Sequence, residues 1–151
     1  MSTTFVIKKG LDIKLLGCAE KTVVDLNAER FAIKPPNFLG CFPKVLVKEG
    51  DYVKAGTPLF YDKYRDNIVF TAPVSGKVEA LKRGAKRRLL EIIIDSDGKN
   101  EAIDFGSSNI NNLKKEDVVD KMLKSGVWPI MRQRPYSVIA NPNDAPYWDA
   151  I

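Results

Sequence analysis

The chain has 151 residues, of which 44% are hydrophobic and 28% charged, a balance that fits one compact globular domain or a domain with an appendage. It has no histidine, and its two cysteines, Cys18 and Cys41, form no CxxC pair, so these residues cannot assemble a common zinc site or a Ser-His or Cys-His nucleophile. A net charge of +5 and a pI of about 9.2 favour anionic partners (nucleic acid, acidic protein faces, phosphates or lipid head groups) without choosing among them.

Met1–Phe5 lacks the basic-then-apolar pattern of a signal peptide, and no apolar run approaches the roughly 20 residues that span a bilayer. The expected location is therefore the cytoplasm, with both cysteines as reduced, partly buried thiols. Residues 4–8 read as a first strand, residues 10–12 as a turn and residues 13–17 as a short extended piece. Residues 22–26 and 30–33 are strand-like. Pro35-Pro36 marks a loop, because proline supplies no ladder donor.

Residues 44–47 form the next expected strand, and Glu49-Gly50-Asp51 a turn in which Gly50 is free to take positive φ. A second turn begins at residues 53–56, and residues 58–61 are a strand. The polar run from Tyr64 to Asn67 reads as a hairpin loop with its apex at Arg65-Asp66-Asn67, after which residues 68–71 return. Residues 74–81 alternate apolar and polar, the pattern of a half-buried strand. Leu89 to Asp95 is the strongest strand signal, closed by an Asp97-Gly98 turn.

Gly106 to Asn109 reads as a linker. A helix follows over Leu113–Lys124, with Glu116 and Asp117 early and Lys121 and Lys124 late, the order that suits the helix dipole. Asn111 or Asn112 is placed to cap its start and Gly126 its end. From Trp128 onward the chain is rich in proline and aromatics and reads as ordered loop rather than core. The chain stops at Trp148-Asp149-Ala150-Ile151 without a closing signal, and the expectation is a piece of a longer protein.

Two segments are organised alike. Val47-Lys48-Glu49-Gly50-Asp51-Tyr52-Val53 through Phe60, and Phe70-Thr71-Ala72-Pro73-Val74-Ser75-Gly76-Lys77-Val78, set glycines and short polar residues between strand-like apolar positions. They read as paired half-motifs of a mainly β barrel-sandwich hybrid, the biotinyl/lipoyl-like scaffold. The expected organisation is this domain over residues 1–105, then one helix and an extended Pro-rich tail over residues 106–151 that leads to a downstream Rossmann-like region.

A carrier of this kind presents its modified lysine at a tight hairpin tip. Asp62-Lys63 has the residue order of a lipoate site, yet Lys63 lies 13 positions after Gly50 and 10 before Pro73, ahead of the expected apex. There is no Met-Lys-Met for biotin. Lys63 is therefore read as a surface lysine, and a lipoyl- or biotinyl-type carrier is kept as an alternative function.

Two segments remain as candidate contact surfaces. Lys82-Arg83-Gly84-Ala85-Lys86-Arg87-Arg88 packs five cations into seven residues, with Gly84 bending the chain between two strands. It reads as a solvated turn, a protein-docking surface or a nucleic-acid contact. The last normally adds stacking aromatics, and Phe70 and Phe105 sit where core residues are expected. In Trp128 to Tyr136, Arg132 and Arg134 are flanked by Trp128 and Tyr136, which suits an anion or a flat flavin-like ring. The other reading is that Trp128 and Met131 pack the helix end onto the barrel while the arginines pair with carboxylates.

Taken in order, Ile7-Lys8-Lys9-Gly10-Leu11-Asp12, Val47 to Asp51, Phe70 to Gly76, Arg83-Gly84-Ala85-Lys86-Arg87, and Trp128 with Arg132-Gln133-Arg134-Pro135-Tyr136-Ser137 resemble the N-terminal part of the A-subunit family of bacterial Na+-translocating NADH:quinone reductases. The C subunit of a related ferredoxin:NAD reductase complex shows a weaker likeness. The resemblance implies a peripheral protein on the cytoplasmic face of the bacterial inner membrane, docked on membrane-embedded subunits of a pump that oxidises NADH, reduces ubiquinone and exports Na+. It implies that FAD, FMN, riboflavin and the 2Fe-2S cluster belong to the complex and not to these residues; no nucleic acid is among the expected partners, and a basic nucleic-acid-binding β-barrel is kept as the other alternative function. No GxGxxG occurs, so no nucleotide site is assigned. The expected partner-binding residues are Lys82, Arg83, Lys86, Arg87 and Arg88, facing acidic partner surfaces or lipid phosphates. Trp128, Arg132, Arg134 and Tyr136 are expected at the junction to the next domain. No catalytic residue and no metal ligand is expected.

Overall fold

The computed structural model describes residue 6 and residues 16–24, 28–109 and 112–144. The order of elements is β1 (Arg30–Ile33), β2 (Pro43–Val45), β3 (Tyr52–Val53), β4 (Pro58–Asp62), β5 (Arg65–Thr71), β6 (Gly76–Arg83), β7 (Leu89–Ser96), α1 (Lys115–Lys124), β8 (Arg132–Gln133) and β9 (Val138–Ile139). They form a four-stranded sheet in the order β1-β7-β6-β3, a three-stranded sheet β2-β4-β5 and the small hairpin β8-β9. All strand pairs are antiparallel. This is the barrel-sandwich hybrid expected from the paired half-motifs.

The half-motifs bond to each other across the sandwich. The Gly50 amide donates to the Val78 carbonyl, and the Val78 amide returns the bond to Asp51. Gly56 and Thr57 exchange the same kind of pair with Ala72. Gly50 has φ +95°, as its turn requires. The apolar residues of each strand then point into one core containing Val53, Leu59, Phe60, Ile68, Phe70, Val78, Ile92 and Ile94, all at most 3% exposed. Phe60 stacks on Phe70 with ring centroids 4.4 Å apart, and Phe38 meets Phe70 edge-on at 4.6 Å.

Several expectations change. Residues 22–24 belong to no strand, and Val23 and Val24 are 90% and 70% exposed. β-Propensity alone does not make a strand without a partner edge, and the edge of β7 is taken by β1. All but residue 6 of the strand expected at residues 4–8, most of the piece at 13–17, and residues 25–26 of the strand expected over 22–26 lie outside the described residues. Cys18 is exposed rather than partly buried, whereas Cys41 is half-buried. Phe105 is 38% exposed and covers Gly56 from outside rather than joining the core.

The helix is capped two residues or more later than expected. Lys114 takes the N-cap position, and the Asp117 carboxylate accepts from its backbone N–H at 3.4 Å, so neither Asn111 nor Asn112 is the cap. The C-terminus closes as expected. Gly126 has φ +74°, its amide bonds to Leu123, and the Val127 amide reaches back to Met122. A Cβ at Gly126 would stand 2.4 Å from Thr71 Oγ1, so the helix end is pressed against β5.

The tail beyond Trp128 is core, not only loop. Trp128 and Ile139 are 9% and 2% exposed and belong to the barrel's own apolar cluster. Trp128 Nε1 donates to the Ala140 carbonyl at 2.9 Å, and Arg65 Nη1 donates to the Ile139 carbonyl at 3.2 Å. The β8-β9 hairpin is thereby fastened to the barrel.

Candidate partner-binding surface

The β6-β7 connection carries the basic run. Its backbone is stitched by bonds from Gly84 N to Arg88 O and from Arg88 N to Ala85 O. Lys86 and Arg87 hold φ of +54° and +59°, a conformation that costs an L-residue roughly 1–2 kcal/mol each. All five cations are exposed. Lys82 pairs with Glu91 at 3.4 Å, and Arg83 Nη1 donates to the Arg87 carbonyl. Hydrogen bonds from Lys34 and then Lys82 hold the Glu91 carboxyl below its ordinary range. Among the described residues no carboxylate lies within ion-pair distance of Lys86, Arg87 or Arg88. The structure thus divides the run into a satisfied base and a basic tip without a counter-charge among the described residues.

Arg88 and Leu89 line one part of a groove of about 320 Å³, and residues 35–36 and 38–43 line the rest. The groove lining is chiefly proline and apolar side chains, including Leu39 and Phe42, each 55% exposed. Cys41 sits in the same wall with its thiol pushed up to about 12, first by burial and then by the Asp62 charge. It is a protonated, unreactive thiol at neutral pH. Composition offered a weak signal for this wall: Phe38-Leu39-Gly40-Cys41-Phe42-Pro43 is too apolar for an ordinary exposed loop.

The groove ends at the β4-β5 hairpin tip, where the sequence expectation fails. The turn consists of Lys63 and Tyr64 alone, and Asp62 pairs directly with Arg65. The apex is therefore at Lys63, not at residues 65–67. The cause is Asp62, 1% exposed, whose carboxylate accepts from Arg65 Nε at 2.9 Å and draws Arg65 into the ladder. Asp62 also accepts from the Phe42 amide at 3.2 Å and the Tyr64 amide at 3.3 Å. Lys63 is exposed, with its ammonium 5.4 Å from the Tyr64 ring centroid, and its amide donates to the Phe42 carbonyl. Tyr64 is 69% exposed and meets Phe42 edge-on at 5.0 Å.

The second expected cluster is dispersed. Trp128 is in the core. Arg132 lies over the Phe38 ring at 5.0 Å and donates to the Ser137 carbonyl at 3.1 Å, so an aromatic face and a carbonyl, not a carboxylate, satisfy it. Arg134 and Tyr136 are exposed at the β8-β9 tip, Tyr136 by 77%. The four therefore do not converge on one site.

A third polar cluster is structural. Asp97 accepts from Tyr52 and Ser75 hydroxyls at 2.6 Å each and from the Lys99 amide, and Ser75 accepts from the Glu101 amide. The Ser75 bond, then that of Tyr52, holds Asp97 down to about 2, and Asp97 pushes Tyr52 up to about 12. Both groups move away from neutral pH, the opposite of what acid–base chemistry requires. Among the described residues no group of three His, Cys, Asp or Glu side chains could hold a metal. No described helix is long and apolar enough to cross a membrane.

Residues 5–97 match the family model described as the NqrA N-terminal barrel-sandwich hybrid domain, and residues 113–148 match the NqrA second alpha/beta domain. The chain belongs to the NqrA family. It is 39% identical over 144 residues to the A-subunit of the Na(+)-translocating NADH-quinone reductase of Yersinia pseudotuberculosis (serotype O:1b, strain IP 31758), covering 93% of this chain and 32% of that protein. The corresponding protein of Histophilus somni (strain 2336) is 43% identical over 137 residues, covering 88% of this chain and 30% of that protein. That of Haemophilus influenzae (strain PittEE) is 38% identical over the same length. The chain spans about a third of the length of the curated relatives it matches.

Proposed function

We propose that the chain is the N-terminal part of the peripheral NqrA component of a Na+-pumping NADH:ubiquinone oxidoreductase, on the cytoplasmic face of the bacterial inner membrane, and that it serves docking and assembly. Its contribution to the complex's oxidoreductase and translocase activity is indirect. The FAD, FMN, riboflavin, 2Fe-2S cluster, NADH and ubiquinone are handled elsewhere in the complex. The family membership supports the role as one component of that complex. The observation that carries the docking role is the exposed basic tip Lys86-Arg87-Arg88, its first two residues held in a costly left-handed backbone conformation, with no counter-charge among the described residues. Lys82 and Arg83 support it from below. In this reading residues 106–144 begin the second domain, and exposed Arg134 and Tyr136 face the remainder of that domain, while Trp128 and Arg132 hold the hairpin that presents them.

The test is charge reversal. Lys86→Glu with Arg87→Glu should weaken recovery of the membrane subunits with affinity-tagged NqrA by tenfold or more. Recovery equal to that of the parent would refute the docking role. Arg134→Ala should loosen the C-terminal segment, and an unaltered proteolysis pattern would count against the junction role.

A carrier role is the second reading, favoured by Lys63 at the exposed apex of a two-residue turn. Against it stands the packing of Phe42 and Tyr64 against the flank of that turn. Co-expression with lipoate or biotin ligase and an intact-mass measurement decides, since an attached group raises the mass and an unmodified chain does not.

A further inference from the structure

The groove, the hairpin tip and the basic loop form one surface, because Arg88 and Phe42 line the same groove and Phe42 touches Tyr64. From it we infer that this end of the barrel seats on an anionic bilayer, with Phe42, Tyr64 and Leu39 entering the head-group layer and Lys86, Arg87 and Arg88 on lipid phosphates. The inference deepens the docking reading and rests on it for the role of the basic loop.

The chemistry of the tip favours lipid over an acidic protein face. Phe42 and Tyr64 form an exposed aromatic pair with Lys63 beside it, the mixture of rings and cations that partitions to a membrane interface. A loop can enter that layer only if its backbone donors are already satisfied, since few waters remain to replace lost bonds. Here they are. Lys63 N donates to Phe42 O and Cys41 N to Phe38 O, while Phe42 N and Tyr64 N both donate to Asp62. The accepting carboxylate is buried and paired with Arg65, so it adds no exposed negative charge to the tip. Glu91, on the β7 wall side, is bound between Lys34 and Lys82. The remaining cations are left to meet phosphates.

The experiment is sedimentation of the 151-residue chain with vesicles of phosphatidylcholine, pure or mixed three to one with phosphatidylglycerol, at low salt. The chain should pellet with the mixed vesicles and remain soluble with the neutral ones. Lys86→Gln with Arg87→Gln keeps the backbone strain and removes two charges; the partition coefficient should fall about 25-fold, fivefold per charge. Phe42→Ser with Tyr64→Ser should lower it about tenfold, with an unchanged circular dichroism spectrum and thermal midpoint. Failure to pellet with either vesicle, equal pelleting with both, or full retention in either double variant overturns the inference. An acidic-protein partner would give no pelleting while the charge-reversed variant still loses the membrane subunits. As the vesicles contain no protein, the two readings fail separately.

Discussion

Replacing Asp62 by alanine should destabilise the fold by about 3 kcal/mol and release the hairpin tip. The carboxylate is 1% exposed and accepts three hydrogen bonds, one of them charged, from Arg65 Nε at 2.9 Å. Removing one partner of a buried ion pair typically costs about 3–5 kcal/mol, because the other charge is left without compensation. The Arg65 side chain is 28% exposed and can recover part of its hydration, which lowers that range by about 1 kcal/mol. The two amides released, of Tyr64 and Phe42, belong to exposed residues, so water can reach them and their loss adds little. Asparagine keeps one acceptor and should cost about 2 kcal/mol. Arg65→Met strands a nearly buried carboxylate and should cost at least as much as the alanine change. If the pair acts as a unit, Asp62→Asn with Arg65→Met loses less than the sum of its parts by about 1.5 kcal/mol or more. Urea unfolding at constant m-value measures all four variants. An alanine variant within about 1 kcal/mol of the parent, or additive single changes, would refute the assignment of the tip to this pair.

Gly76→Ala should abolish soluble folding or cost about 4 kcal/mol, since a Cβ there would stand 2.0 Å from the Asp95 carbonyl oxygen where β6 enters its ladder between β3 and β7; a thermal midpoint near the parent's would contradict it. Lys86→Gly should raise stability by about 0.5–1 kcal/mol, relief of the left-handed backbone less the entropy of glycine, whereas Lys86→Ala should not. Equal midpoints for the two would show that no strain is held there. Asp97 is depressed to about 2, so its contribution is full above the ordinary carboxylate value near ~4 and is lost as pH falls toward 2. Asp97→Asn should flatten the acid limb of a stability–pH curve within that window. Tyr52, raised to about 12, contributes fully below ~10 and loses its contribution as pH climbs to 12. Tyr52→Phe should flatten part of the alkaline limb, to which Cys41, also raised to about 12, contributes in the same direction.

The barrel was legible because its signals are local. The turn at Gly50, the alternation through Val78 and the apolar run ending at Asp95 each carry their own reason to form, and the reciprocal bonds between Gly50, Asp51 and Val78 join segments that already match in the chain. Gly126 was legible for the same reason, since a helix end needs a residue free to take positive φ. The basic run could be seen too, but not its division: that Glu91 meets Lys82 and leaves Lys86, Arg87 and Arg88 without a partner among the described residues depends on the pairing of β6 with β7.

The hairpin tip shows why the rest could not be read. Arg65-Asp66-Asn67 has the composition of a loop, and local propensity places the apex there. One carboxylate turned inward at Asp62 makes Arg65 a strand residue, shifts the apex to Lys63 and supplies the bonds that fix Phe42 and Tyr64. Trp128 is a parallel case, since an aromatic in a Pro-rich tail becomes core only because Ala140 and Ile139 return to meet it and Arg65. In both places the deciding contact joins residues on different elements. The surface assigned to lipid is therefore a product of tertiary pairing: the charge that shapes it, at Asp62, is buried beneath the residues that would make the contact.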